Sequence, residues 1–424
     1  MSRNFSPVAW CNRTNLYEVN IRQYTPEGTF KAFAKHLPRL KEMGVETLWL
    51  MPITPISVDV RQGTLGSYYA CSDYTAINPE FGTLDDFRDL VKLAHDMGMK
   101  LIIDWVANHT GWDHIWTQTH PEYYKKTAEG KFYDTNNWHD VIDLNYYDGG
   151  MRKAMIEAMQ FWVLDADIDG FRCDMAHLVP LDFWRDARKA VDKLKPVFWL
   201  AETEDMHYLD VFDTCYAWQW MHDTEKYARG QNSLQSLREL LERYSNEWPA
   251  GTFPLFFTSN HDENSWNGTE YEKFGELAPV LAVLSHTWKG MPLIYSGQEI
   301  PNHKRLAFFD KDLIEWKGTP ALQEFYKALL SLRKNHPALS ADNTASPVWI
   351  PTNADNYILS FVRRTEGKEI LVLLNLSPNH LFVQFAEGYV YGDYTNVFTK
   401  QTVTVIPQQS FELKPFDYLV LLKA

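Results

Sequence analysis

The chain has 424 residues, 45% of them apolar, with a formal net charge of −14 at neutral pH. That length suits one large domain plus a smaller one. The negative balance argues against nucleic acid or an anionic membrane surface as partner, since both require basic patches.

Along the chain, Met1–Asn15 carries no apolar signal core and no later window reaches the 18 apolar residues of a membrane span. A cytoplasmic protein is expected, with a removed leader left open. The cysteines Cys11, Cys71, Cys173 and Cys215 show no CxxC spacing, so four thiols are expected rather than a zinc site or disulfide framework. Short apolar runs then alternate with helical periodicity. Strands are predicted at Leu16–Asn20, Thr47–Met51, Lys100–Val106, Ile168–Asp174, Val197–Glu202, Thr214–Trp218, Leu255–Ser259 and Pro292–Tyr295. Helices are predicted at Phe30–Met43, Thr83–Met97, Met151–Leu164, Pro180–Leu194, Asn232–Tyr244, Phe274–Thr287 and Ala321–Lys334. Only Thr203–Asp213, between the fifth and sixth strands, is too short for a helix. Eight strands with interleaved helices is the count of an α/β (β/α)8 TIM barrel. The rival, a doubly wound sheet, calls for a Gly-rich phosphate turn, and no GxGxxG occurs.

Two stretches depart from a plain barrel. After the third strand, Ala107–Tyr147 is irregular and holds nine aromatics, which marks a short functional subdomain. Beyond about Asn335 the pattern becomes alternating runs (Tyr357–Arg363, Glu369–Leu376, Leu381–Phe385, Thr402–Val405, Tyr418–Leu422), the signature of an antiparallel β-sandwich. The expected domains are a barrel of residues 1–106 and 148–338, a subdomain of 107–147 and a C-terminal domain of 339–424.

In a barrel, residues at the C-terminal strand ends face the active site. There the third strand presents Asp104 with Asn108 and His109, the fourth Arg172 and Asp174, the fifth Glu202, and the seventh Asn260, His261 and Asp262. Side chains alternate along a strand, so Arg172 lies beside Asp174 and favours its ionised form, while Cys173 faces away. Paired carboxylates without a thiolate or phosphate site point to glycosidic bond cleavage. Neighbouring strands lie about 4.8 Å apart, which favours the about 5–5.5 Å carboxyl separation of retaining enzymes over the wider inverting one. Asp174 is then the nucleophile. Glu202, rising from the apolar run Phe198–Ala201, is expected in apolar surroundings as general acid and base. The 16 Trp and 22 Tyr supply flat faces suited to sugar rings.

These segments resemble the α-amylase family of glycoside hydrolases across nearly the whole chain. Asp104–His109 is similar to its DxVxNH segment, Gly170–Asp174 to its nucleophile segment, and Ser259–Asp262 to its last catalytic segment. Gly44–Pro52, Tyr69–Tyr74, Phe81–Thr83 and Gly290–Glu299 add supporting matches. The resemblance implies Asp174 as nucleophile, Glu202 as acid/base and Asp262 as the carboxylate that binds sugar hydroxyls. It implies that Arg172 positions Asp174 with Asp104 beneath, that His109 and His261 hydrogen-bond the sugar, and that Tyr69, or its neighbour Tyr68, stacks on it. His177 stands where the family often has a lysine, and either meets the leaving glucan or packs. No cofactor is required; calcium is the one ion the pattern raises, with Asn108 and Asp143 as ligands. The expected reaction is retaining hydrolysis of α-1,4 bonds in starch, glycogen or maltodextrins, the short subdomain leaving room for internal cleavage. The alternatives are an α-1,6-glucosidase or neopullulanase-type activity, glucanotransfer, or a non-catalytic glucan-binding protein, which would have lost the nucleophile or acid.

Overall fold

The computed structural model describes residues 5–341, 346–365 and 367–423. Eight parallel strands close a barrel: β1 Leu16–Val19, β2 Thr47–Leu50, β3 Lys100–Trp105, β4 Gly170–Cys173, β5 Phe198–Ala201, β6 Thr214–Tyr216, β7 Phe253–Phe256 and β8 Met291–Tyr295. Their order around the barrel is β1-β8-β7-β6-β5-β4-β3-β2. All but the first residue of β3 are buried, as expected of strands covered on both faces. The strand register positions the chemistry: Asp104 pairs with Arg172, and Cys173 with Ala201, so Asp174 and Glu202 each follow the last residue of adjacent strands.

The helices differ from expectation where proline and glycine intervene. Phe30–Met43 is two helices, Phe30–Ala34 and Leu37–Met43, because Pro38 offers no N–H to continue the first and suits the first turn of the second. Phe274–Thr287 is likewise interrupted at Gly275, whose φ is +54°, and resumes as Ala278–Thr287. The Thr203–Asp213 connection contains one 3₁₀ turn, Met206–Asp210. Among the described residues no helix is long and apolar enough to cross a membrane.

The described residues form two compact units, one built mainly from Leu16–Tyr216 with Lys304–Glu315, the other mainly from Ala217–His303 and the residues from Trp316 on. In the first, the excursion after β3 folds around a short antiparallel ribbon, His109–Gly111 with Val141–Asp143, that pairs His109 with Asp143. In the second, a six-stranded antiparallel sheet packs with a two-stranded one, Leu381–Val383 with Phe411–Leu413. Ile358, Val362, Leu371, Leu373, Val383, Phe411 and Leu413 fill the space between them. Three of its strands escape the sequence reading: Val348–Trp349 and Phe411–Leu413 are too short to show alternation, and Gly392–Asn396 has Tyr394 as its single apolar residue. Arg363, fully buried on Ile358–Thr365, donates from Nη1 to the Trp288 carbonyl at 3.0 Å and ties the sheet to the helix Ala278–Thr287 of the same unit.

Candidate active site

The first unit is organised around Arg172. Its side chain is fully buried, where an isolated charge would be very costly. Carboxylates surround it. Nη1 donates to Asp104 Oδ1 and Oδ2 at 2.9 and 3.1 Å and to Asp174 Oδ1 at 2.8 Å. Nη2 lies 2.8 Å from Glu202 Oε2, close enough for an ion pair but without the alignment of a hydrogen bond. Burial works against the guanidinium charge, yet the neighbouring Asp104 and Glu202 hold its pKa well above the ordinary arginine value. One planar fork therefore touches three carboxylates, which arginine geometry allows and a lysine point charge does not.

Aromatic rings close the cluster. Trp49, the last residue but one of β2, donates from Nε1 to Asp104 Oδ2 at 3.2 Å, and the Tyr69 hydroxyl donates to the same oxygen at 3.1 Å. Tyr216 accepts from Arg172 Nε at 3.3 Å. The guanidinium carbon sits 5.0, 5.8 and 5.7 Å from the ring centroids of Trp49, Tyr69 and Tyr216, within cation–π range. Tyr68, the other possible stacking residue, is buried under Arg22, whose guanidinium lies 4.3 Å over its ring. Tyr69 is thus the tyrosine at the carboxylates. Phe308 lies nearly parallel to it, with centroids 6.1 Å apart.

The backbone after β4 turns sharply at Met175, whose φ and ψ of 40° and 46° are left-handed. The turn aims the Met175 N–H at Glu202 Oε2, 2.8 Å away. Glu202 therefore faces a backbone donor and a guanidinium, not the apolar surroundings its strand suggested. The difference arises because Glu202 lies past the last residue of β5 and leans toward β4. Cys173 alternates away from the cluster, and burial pushes its thiol pKa well up.

In the excursion, His109 is buried with its ring 5.3 Å from Trp138. Burial lowers its pKa to about 4 against the opposing pull of Asp143, Asp134 and Asp140, so the imidazole is neutral near pH 7. With Asn108 Nδ2 as donor to His109 Nδ1 (3.1 Å), the ring carries its proton on Nε2, and the Tyr69 backbone is a further hydrogen-bond partner of the ring. Asn108 and Asp143, the expected calcium ligands, fit a divalent ion poorly. Asp143 Oδ2 already accepts from Lys125 Nζ at 2.9 Å and Thr135 Oγ1 at 2.6 Å. Among the described residues, no three His, Cys, Asp or Glu side chains group as a metal site, whereas calcium takes six to eight oxygens.

His177 lies on the 3₁₀ turn Ala176–Leu178 with an exposed side chain, while Tyr208 donates to its carbonyl at 3.1 Å. In the second unit, Asp262 follows β7 and precedes the π-helical turn Glu263–Asn267. His261 is buried, with Nε2 3.3 Å from Asp262 Oδ2.

The family model for the α-amylase catalytic domain matches residues 11–138 and 123–357. The chain belongs to the α-amylase family. It is accordingly a glycoside hydrolase, and its residues 351–420 match the C-terminal domain of maltogenic amylases. This amylase-family chain is 26% identical to α-amylase MalA of Haloarcula japonica, over 97% of its own length and 64% of that protein's. Among solved structures it is similar to an α-amylase of Lactobacillus plantarum (29% identity, TM-score 0.88, covering 98% of this chain and 99% of that one). It is also similar to the noncanonic maltogenic α-amylase AmyB of Thermotoga neapolitana (30% identity, TM-score 0.89, covering 97% and 99%). Sequence reasoning missed Trp49, Tyr216, Lys125 and Thr135. Tyr216 ends β6 and Trp49 is the last residue but one of β2, so both were within reach of the strand-end argument, had it extended from carboxylates to rings. Lys125 and Thr135 lie in irregular chain, where no periodicity says which side chains meet.

Proposed function

We propose that this chain hydrolyses α-1,4-glucosidic bonds of starch, glycogen or maltodextrins with retention, through a covalent glycosyl-enzyme intermediate. The observation that carries the reading is the Arg172 fork, which touches Asp174 and Glu202 at once. That arrangement supports the short carboxyl separation of a retaining enzyme. Asp174, held as an anion by Arg172, attacks the glucose C1 while Glu202 gives a proton to the departing glycosidic oxygen. Because Oε2 of Glu202 accepts the Met175 N–H, its proton belongs on Oε1. Glu202, now a carboxylate, then takes a proton from water, and the hydroxide formed attacks C1 and frees Asp174. Two inversions return the α configuration. His109 hydrogen-bonds a sugar hydroxyl, and Tyr69 stacks on the ring. Asp262 and His261 take the sugar-binding parts that the family pattern assigns them, and the exposed His177 meets the leaving chain.

The short excursion after β3 supports internal cleavage in an open groove, and the burial of all four cysteines is compatible with a reducing, cytoplasmic setting. The test is reducing-end release from maltodextrin by the wild type, Asp174→Asn and Glu202→Gln. Each variant is expected to lose at least about 10²-fold in kcat, and unchanged activity in either rejects the assignment. A product profile on amylose, pullulan, cyclodextrin and maltotriose separates α-1,4 from α-1,6 cleavage and hydrolysis from transfer.

A further inference from the structure

Asp143 is fully buried, so water cannot stabilise its charge. Its carboxylate sits where three stretches of the excursion meet. Through the ribbon it pairs with His109, Lys125 N donates to its carbonyl oxygen at 3.0 Å, and its own N–H donates to the Tyr133 carbonyl at 3.0 Å. The next residue, Leu144, donates to the Asn108 carbonyl at 3.1 Å. The side chain adds Lys125 and Thr135 on one oxygen.

We propose that the ammonium of Lys125 is the resident cation of this excursion, holding Asp143 where the family pattern would put calcium. Lys125 is thereby a positioning residue for Asn108 and His109. The argument is one of charge and ligand count. A buried carboxylate needs a positive partner, and one at 2.9 Å is present. A divalent ion at the same carboxylate would meet the repulsion of that ammonium. Of the two expected ligands it would find the second Asp143 oxygen, which has no hydrogen-bond partner among the described residues, and the Asn108 amide oxygen, short of its usual shell. The lysine side chain is only about one third exposed (35%), so the pair is shielded from bulk salt more than a surface ion pair. With the cation covalently part of the chain, the excursion folds and holds its histidine without drawing an ion from solution.

The test is thermal unfolding of the full chain with chelator and with millimolar calcium, for the wild type, Lys125→Met, Lys125→Arg, Asp143→Asn and the double variant Lys125→Met/Asp143→Asn. The wild type is expected to melt at the same temperature in both media. Lys125→Met is expected to melt at least about 3 °C lower, and Lys125→Arg, which keeps the charge, near the wild type. The double variant should fall no further than the worse single one, since both remove the same interaction. A wild type destabilised by chelator and restored by calcium overturns the proposal. So does an additive double variant. If Lys125→Met fails to fold, the chelator result on the wild type and the behaviour of Lys125→Arg still decide it.

Discussion

Arg172 on β4 and Asp174, one residue past the strand's end, keep the alternation of extended chain and share a face, where Nη1 reaches Asp174 Oδ1 at 2.8 Å. The surroundings of Glu202 were not legible, because they depend on a left-handed residue, Met175, that no alternation pattern announces. The choice between Tyr68 and Tyr69 was equally closed to sequence, since adjacent residues at a loop obey no fixed facing rule. The tight fit of Arg172 yields a prediction. Arg172→Lys keeps a charge but loses the fork that serves Asp104, Asp174 and Glu202 together, leaving buried carboxylates under-compensated. Its kcat on maltodextrin should fall by more than about 10²-fold, with a lowered melting temperature. A variant with near wild-type kcat would remove Arg172 from the centre of this account.

At the scale of elements, all eight barrel strands were found because each is a short, buried apolar run, with ends off by up to three residues, as at β7, expected at Leu255–Ser259 and observed at Phe253–Phe256. Gly170, the first residue of β4, shows what that packing demands. A Cβ there would lie 2.3 Å from the Phe198 carbonyl oxygen on β5, a backbone atom that cannot rotate away. Gly170→Ala is therefore expected to cost about 1–3 kcal/mol, or a drop of several degrees in melting temperature. It should also lower activity by displacing the strand that carries Arg172 and Asp174. An alanine variant as stable as the wild type contradicts the tight β4–β5 contact. The excursion after β3 was legible as a short aromatic subdomain but not in its internal contacts. Its internal order rests on Asp143 drawing Lys125 and Thr135 together across intervals of 18 and 8 residues, contacts that no local rule specifies.

Over the whole molecule, pH acts through buried histidines. Burial lowers the pKa of His114 to about 3 and of His286 to about 4, against about 6.5 in an unfolded chain. Between those values the unfolded chain binds more protons than the folded one, so these groups leave stability intact above about pH 7 and erode it as pH falls through 6 toward 4. His286 donates from Nδ1 to the Ala282 carbonyl at 2.8 Å, while its buried Nε2 has no hydrogen-bond partner among the described residues. His286→Leu should therefore lessen the fall in melting temperature between pH 7 and pH 4.5; an undiminished fall would show that this histidine does not contribute. The barrel and its eight strands followed from pattern because they repeat, whereas the strands of the C-terminal sheets and the cation of the excursion do not. What the assembled molecule must finally deliver is product stereochemistry. Proton NMR of maltodextrin hydrolysis, read before mutarotation, tests the central claim most directly: Asp174 as nucleophile with Glu202 as acid and base predicts the α-anomer first, and the β-anomer appearing first would contradict it.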